Sequence, residues 1–254
     1  MTTRREFLAG GCAALAVSTL AACTPRRGRP GAAPGSPQLQ ARPALPRVDV
    51  SLGEAPMGVS SSSRDGLLYV PATYRPDAPL PLLVALHGAG GRADNWRSFT
   101  TAAEDRGLIL AVPESRGRTW DRVNGPYGPD VAFIDRALAH VFERCRVDPS
   151  RLALGGFSDG ASYALSLGLA NGDLFSHVIA FSPGFADVGS AAAGKPRVFI
   201  SHGVSDSVLP VRLSRDGVVP LLRREGYDLR YEEFEGGHEV PAEVGAAALD
   251  WLMA

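Results

Sequence analysis

Three residues in glycine-rich stretches, Ser158, Asp206 and His238, are of the types that together carry out nucleophilic catalysis. A serine hydroxyl attacks an electrophile only when an adjacent base takes its proton. A histidine serves as that base when a carboxylate holds its ring in one tautomer and stabilises the imidazolium. Ser158 lies in "RLALGGFSDGASYALSLGLA", where an apolar strand-like run gives way to helical spacing, so Gly155 to Gly160 are expected to turn the chain sharply. A side chain at such a corner points outward, and the flanking glycines let neighbouring backbone come close. Of the five histidines, His238 stands in a glycine-flanked loop between the last strand and the last helix, where its ring can project over the sheet edge. The other reading of His238 is a structural loop histidine. His87 and His202, each followed by glycine, are expected to brace loops. Asp206 follows the penultimate strand and suits the third role, with capping of a helix near Pro210 as its alternative.

A tetrahedral intermediate needs preorganised N–H donors for its oxyanion. The Asp159 amide, at the start of the helix after Ser158, is one. The second is expected from "HGAGG", at Ala89, with Gly90 as fallback. The Asp159 carboxylate suits the helix dipole better than the role of triad acid. Neither GxGxxG nor GxxxxGK[ST] occurs, which argues against a phosphate loop.

Short apolar runs starting at Leu67, Leu82, Leu108, Arg151, His177, Arg197 and Leu229 alternate with helical patterns near 93–106, 130–145, 159–171, 210–225 and 241–253. The pattern predicts an α/β fold, a mostly parallel sheet flanked by helices with no large lid. In the helix near 130–145, Val131, Ile134, Leu138, Val141 and Cys145 share the buried face, leaving Asp135, Arg136 and Glu143 for water. Ligands gather at the carboxyl ends of strands in such sheets, and there "HGAGG", the serine turn, Asp206 and His238 all fall. In the long loop 115–130, Trp120 and Tyr127 either line an acyl or aryl pocket or pack the loop against the body.

The 254 residues, 45% hydrophobic, suffice for one sizeable core. A net charge of −1 gives no basic footprint, so no nucleic-acid partner is expected. The three cysteines form no metal-ligand cluster, and neither a metal nor a cofactor is called for. Arg4 and Arg5 precede an Ala-rich apolar run ending in "LAAC", which resembles a twin-arginine export signal followed by a lipoprotein box. This divides the chain into a signal peptide (1–22), a Pro/Gly/Arg-rich tether (23–47) that starts at an acylated Cys23, and a body (48–254). The expected location after export is the cell envelope or extracytoplasmic face, with the lipid bilayer as partner through the acyl anchor; the other reading is a plain secretory signal whose cysteines are incidental.

"LHGAGG", "VDPSRLALGGFSDGAS", "HGVSDSVLP" and "EGGHEVP" resemble α/β-hydrolases of the phospholipase/carboxylesterase type, related to polyhydroxybutyrate depolymerases and feruloyl esterases. The likeness covers most of residues 66–253 and shares the order Ser158, Asp206, His238. It implies a serine carboxylesterase that forms an acyl-enzyme on Ser158 with a small-molecule ester. An acyltransferase or peptidase using the same triad, or a lipid-anchored binding protein without turnover, are the alternatives. Disulfides and a substrate-adsorbing module, common in secreted polymer depolymerases, are not visible.

Overall fold

The computed structural model describes residues 35–189 and 192–254. The expected signal peptide, Cys23 and the tether as far as residue 34 lie outside them. Eight strands form one sheet: β1 (Gly53–Pro56), β2 (Gly66–Val70), β3 (Leu80–Leu86), β4 (Ile109–Pro113), β5 (Val147–Phe157), β6 (His177–Phe181), β7 (Arg197–Gly203) and β8 (Leu229–Phe234). Their spatial order is β1-β2-β4-β3-β5-β6-β7-β8, antiparallel at the β1/β2 and β2/β4 pairs and parallel from β4 through β8. The helices are α1 (Phe99–Arg106), α2 (Asp121–Asn124), α3 (Pro129–Arg144), α4 (Asp159–Ala170), α5 (Val219–Arg224) and α6 (Ala242–Met253).

Side chains alternate across a strand, so the apolar run of β3 feeds two layers. Leu82, Val84 and Leu86 pack with Ile134, Leu138 and Val141 of α3 and with Tyr163 and Leu167 of α4. Leu83 and Ala85 turn to the other face, into a cluster with Ala103 of α1 and with Leu249 and Leu252 of α6. The α3 face carries the expected Val131, Ile134, Leu138, Val141 and Cys145, all buried. Each large aliphatic side chain removed from water there stabilises the fold by about 1.5–3 kcal/mol.

Local outcomes differ from the sequence expectations in several places. The strand predicted over Arg151 to Leu154 continues through Gly155 and Gly156 to Phe157, so only Ser158 makes the turn. The helix expected over 93–106 divides into a 3-10 turn, Ala93–Trp96, and α1. The helix expected over 210–225 begins as a π-helical turn, Leu213–Val218, and passes into α5, whose first turn carries Pro220. A proline has no N–H for the helical ladder, so the register resets there. The edge strand β1 had no alternating apolar signal: only Pro56 and Ala55 are apolar in "GEAP", and its residues are half-buried or exposed.

Residues 35–47, within the expected tether, run along the body. Leu39 is 1% exposed and its amide donates to Asn171 Oδ1 at 2.8 Å. The amides of Gln40 and Ala41 both donate to Asp135 Oδ1, at 2.7 and 2.8 Å. Asp135 thus faces backbone donors rather than water alone. Arg47 and Val48 donate to the Glu143 carbonyl. Packing therefore extends ahead of the boundary expected at residue 48.

The tightest backbone approach lies where β5 meets α4. A Cβ on Gly156 would sit 2.3 Å from the Gly160 carbonyl carbon, and one on Gly160 would sit 2.3 Å from the Leu86 carbonyl oxygen. By contrast, a Cβ on Gly217 would meet nothing within 4 Å. We expect Gly160→Ala to cost at least about 3 kcal/mol, because the obstruction is backbone and cannot yield. Gly217→Ala should stay within about 0.5 kcal/mol of the parent. Urea denaturation of both variants, compared by midpoint at constant slope, checks this.

Candidate active site

Ser158 follows β5 with φ 58° and ψ −121°, outside the usual allowed regions for a side-chain-bearing residue. The turn persists because its backbone is held on both sides. The Ser158 amide donates to the Phe181 carbonyl at 2.9 Å, and the Ser158 carbonyl accepts from Ala161 and Ser162. Gly88 lies against the serine, with room for a Cβ only 3.3 Å from Ser158 Cβ.

The two expected partners converge on this serine. His238 Nε2 is 2.8 Å from Ser158 Oγ, and His238 Nδ1 is 2.6 Å from Asp206 Oδ2. An ionised carboxylate only accepts, so the proton of a neutral His238 sits on Nδ1 and Nε2 is left to accept from the serine hydroxyl. Asp206 Oδ1 accepts the amides of Val208 and Leu209 at 2.9 and 2.8 Å. Burial favours its neutral form, but the hydrogen bond from His238 and these two amides outweigh that effect. Together they hold the carboxyl below its ordinary 3.8. Asp206 therefore caps the following turn and meets His238 at once, so the two sequence readings of this residue are compatible. The Phe157 ring lies 4.7 Å from the His238 ring and flanks it on one side.

Both remaining glycine-flanked histidines brace loops. His202 donates from Nε2 to the Leu209 carbonyl at 2.6 Å and lies 3.2 Å from Asp206 Oδ2. His87 accepts the Ser115 amide at Nε2, 3.1 Å away, which leaves its Nδ1–H to donate to the Gly88 carbonyl at 2.7 Å. Burial pushes the His87 pKa down and keeps the ring in this neutral form.

In the "HGAGG" turn the Gly90 amide is spent on the Arg118 carbonyl at 2.7 Å. No acceptor among the described residues takes the amides of Ala89 or Asp159. A developing oxyanion calls for N–H groups that the protein leaves without an acceptor, as it does these two.

A cavity of about 320 Å³ opens beside this centre, lined by Ala89, Trp96, Phe99, Phe157, His238 and Val240 among others. Trp120 and Tyr127 do not line it. Trp120 is 0% exposed, donates from Nε1 to the His87 carbonyl at 2.8 Å and stacks near Tyr163, so its role is packing. Tyr127 packs edge-on against Tyr163 and borders a separate depression with Arg122, Ser166 and Asp187. The aromatic wall comes instead from Trp96, Phe99 and Phe157, which sequence reasoning passed over. Its signal was the aromatic pair just after "HGAGG" and the aromatic residue immediately before the serine.

Comparison with known proteins finds likenesses among esterases. The feruloyl esterase C of Emericella nidulans is 29% identical over 170 residues, which cover 63% of this chain and 60% of that protein. A protein named "Probable feruloyl esterase C" from Aspergillus oryzae is 30% identical over 173 residues, 64% of this chain and 61% of its own length. The chain thus spans about three fifths of the length of these curated relatives. Among solved structures, esterase PE8 superposes with a TM-score of 0.62 at 23% identity, covering 75% of this chain and 100% of that one. The S-formylglutathione hydrolase of Staphylococcus aureus gives 0.62 at 16% identity, covering 80% and 99%. These likenesses establish the α/β-hydrolase fold. The Esterase family model matches residues 60–194, just over half of the sequence from the second strand past the serine turn, and the chain belongs to that family.

Proposed function

We propose that the chain hydrolyses carboxylic esters through an acyl-enzyme on Ser158. The observation that carries this reading is the continuous contact from Ser158 Oγ through His238 to Asp206, with uncommitted amides at Ala89 and Asp159 beside it. His238 takes the hydroxyl proton as Ser158 Oγ attacks the ester carbonyl carbon. The two amides stabilise the oxyanion, and His238 returns the proton to the leaving alkoxide. Water activated by the same ring then releases the acid. Asp206 holds His238 in the required tautomer throughout.

The cavity size and its Trp96, Phe99 and Phe157 wall support a short acyl or aryl ester. The feruloyl esterase relatives favour an aromatic acid as one half of it. We further infer export by a twin-arginine signal over 1–22 and lipid attachment at Cys23, at the start of the tether expected over 23–47, of which residues 35–47 pack along the catalytic body. Arg4, Arg5 and "LAAC" support this. Among the described residues no helix is long and apolar enough to cross a membrane, and the acyl chains would supply the attachment.

A fluorophosphonate probe followed by mass mapping should label Ser158. Ser158→Ala should remove both labelling and p-nitrophenyl ester turnover in folded protein, and wild-type rates in that variant would refute the assignment. Asp206→Asn should lower kcat by about four orders of magnitude, as when the acid of a comparable triad is neutralised. Trp96→Ala should raise KM for an aryl ester about tenfold while leaving an acetyl ester within about twofold, a difference read by paired steady-state kinetics. Cys23→Ser should move the protein from the membrane pellet to the soluble fraction, and continued sedimentation with membranes would contradict the anchor.

A further inference from the structure

The two uncommitted amides belong to different elements, Ala89 to the turn after β3 and Asp159 to the start of α4, so something must fix the gap between them. The segment from Arg118 to Trp120 bridges both. On one side the Arg118 carbonyl accepts the Gly90 amide at 2.7 Å, and Trp120 Nε1 donates to the His87 carbonyl at 2.8 Å. On the other side the Thr119 hydroxyl donates to Asp159 Oδ2 at 2.7 Å. The segment is itself anchored by a reciprocal carboxylate pair. The Asp121 amide donates to Asp130 Oδ2 at 2.7 Å, and the Asp130 amide donates to Asp121 Oδ2 at 2.9 Å. Asp130 is 1% exposed and also takes the Arg116 amide at 2.5 Å, which closes the loop from both ends.

We propose that Thr119 is a positioning residue, which sets the separation of the Ala89 and Asp159 amides by holding the α4 start through the Asp159 carboxylate. This rests on the ester-hydrolase reading above. Arg118 and Trp120 hold the "HGAGG" half, and Thr119 is the link to the other half. The amides are preorganised for the oxyanion rather than for the planar substrate carbonyl, so a small displacement weakens the transition state more than the ground state.

The test is steady-state hydrolysis of p-nitrophenyl acetate by Thr119→Val and Thr119→Ser. Valine keeps the shape and removes the hydroxyl. Thr119→Val should lower kcat about tenfold with KM changed less than twofold, and Thr119→Ser should restore kcat to within about twofold of the parent. Affinity for an aryl trifluoromethyl ketone, which forms a tetrahedral adduct on the serine, should fall in step with kcat/KM. Asp159→Ala should add no further loss in the Thr119→Val background. An unchanged kcat in Thr119→Val, a loss that serine does not restore, or additive losses in the double variant would each overturn the proposal. Parent protein that neither turns over ester nor takes a fluorophosphonate label would instead overturn the ester-hydrolase reading itself.

Discussion

The structure depends on backbone meeting backbone with no side chain between. At Gly156 and Gly160 the end of β5, the start of α4 and the carbonyls of Leu86 and His87 come closer than a single methyl group allows. That contact draws the turn after β3 against the serine turn, with Gly88 against Ser158. It also packs the first turn of α4 against the end of β3, while the Asp159 carboxylate is held from the other side by the Thr119 hydroxyl. The hydrophobic layers on the two faces of β3 supply the stability that keeps a serine at φ 58°. Strain of this kind costs of order 1–3 kcal/mol and survives only when its surroundings leave no alternative.

The site is also a study in committed and uncommitted polar groups. Buried donors and acceptors lose much when unpaired, and most of the histidine and carboxylate groups around Ser158 are paired, although the buried Ser182 and Ser201 hydroxyls are not. His87 and His202 use both ring nitrogens in loop contacts. Asp206 accepts two amides and a histidine, and Gly90 gives its amide to Arg118. The Ala89 and Asp159 amides, by contrast, have no acceptor among the described residues. A static polar frame around two free donors requires no rearrangement when charge develops, which is the economy of preorganised electrostatics.

The alternation of apolar runs and helical spacing made the layered sheet legible, because a parallel sheet buried on both faces writes continuous Val, Ile, Leu and Ala runs into its strands. The strand-end rule then brought Ser158, Asp206 and His238 to one edge, where their side chains make contact. The misreadings share one physical cause, since periodicity reports burial and does not report what a side chain is buried against. Trp120 looked available because it sits in a long loop, yet its indole N–H finds the His87 carbonyl in the interior. Trp96 and Phe99 read as ordinary helical residues, yet a 3-10 turn ahead of α1 swings them toward the cavity. Residues 35–47 show no period at all, because their contacts run through backbone amides to Asp135 and Asn171.

That docked flank has a geometric consequence. Asn171, which takes the Leu39 amide and donates to the Pro37 carbonyl, closes the C-terminal end of α4, whereas Ser158 stands at its N-terminal end. Twelve helical residues separate the two by about 18 Å. The flank and the candidate nucleophile are therefore tied to opposite ends of one helix, and a strain placed on the flank meets the whole length of α4 before it reaches Ser158.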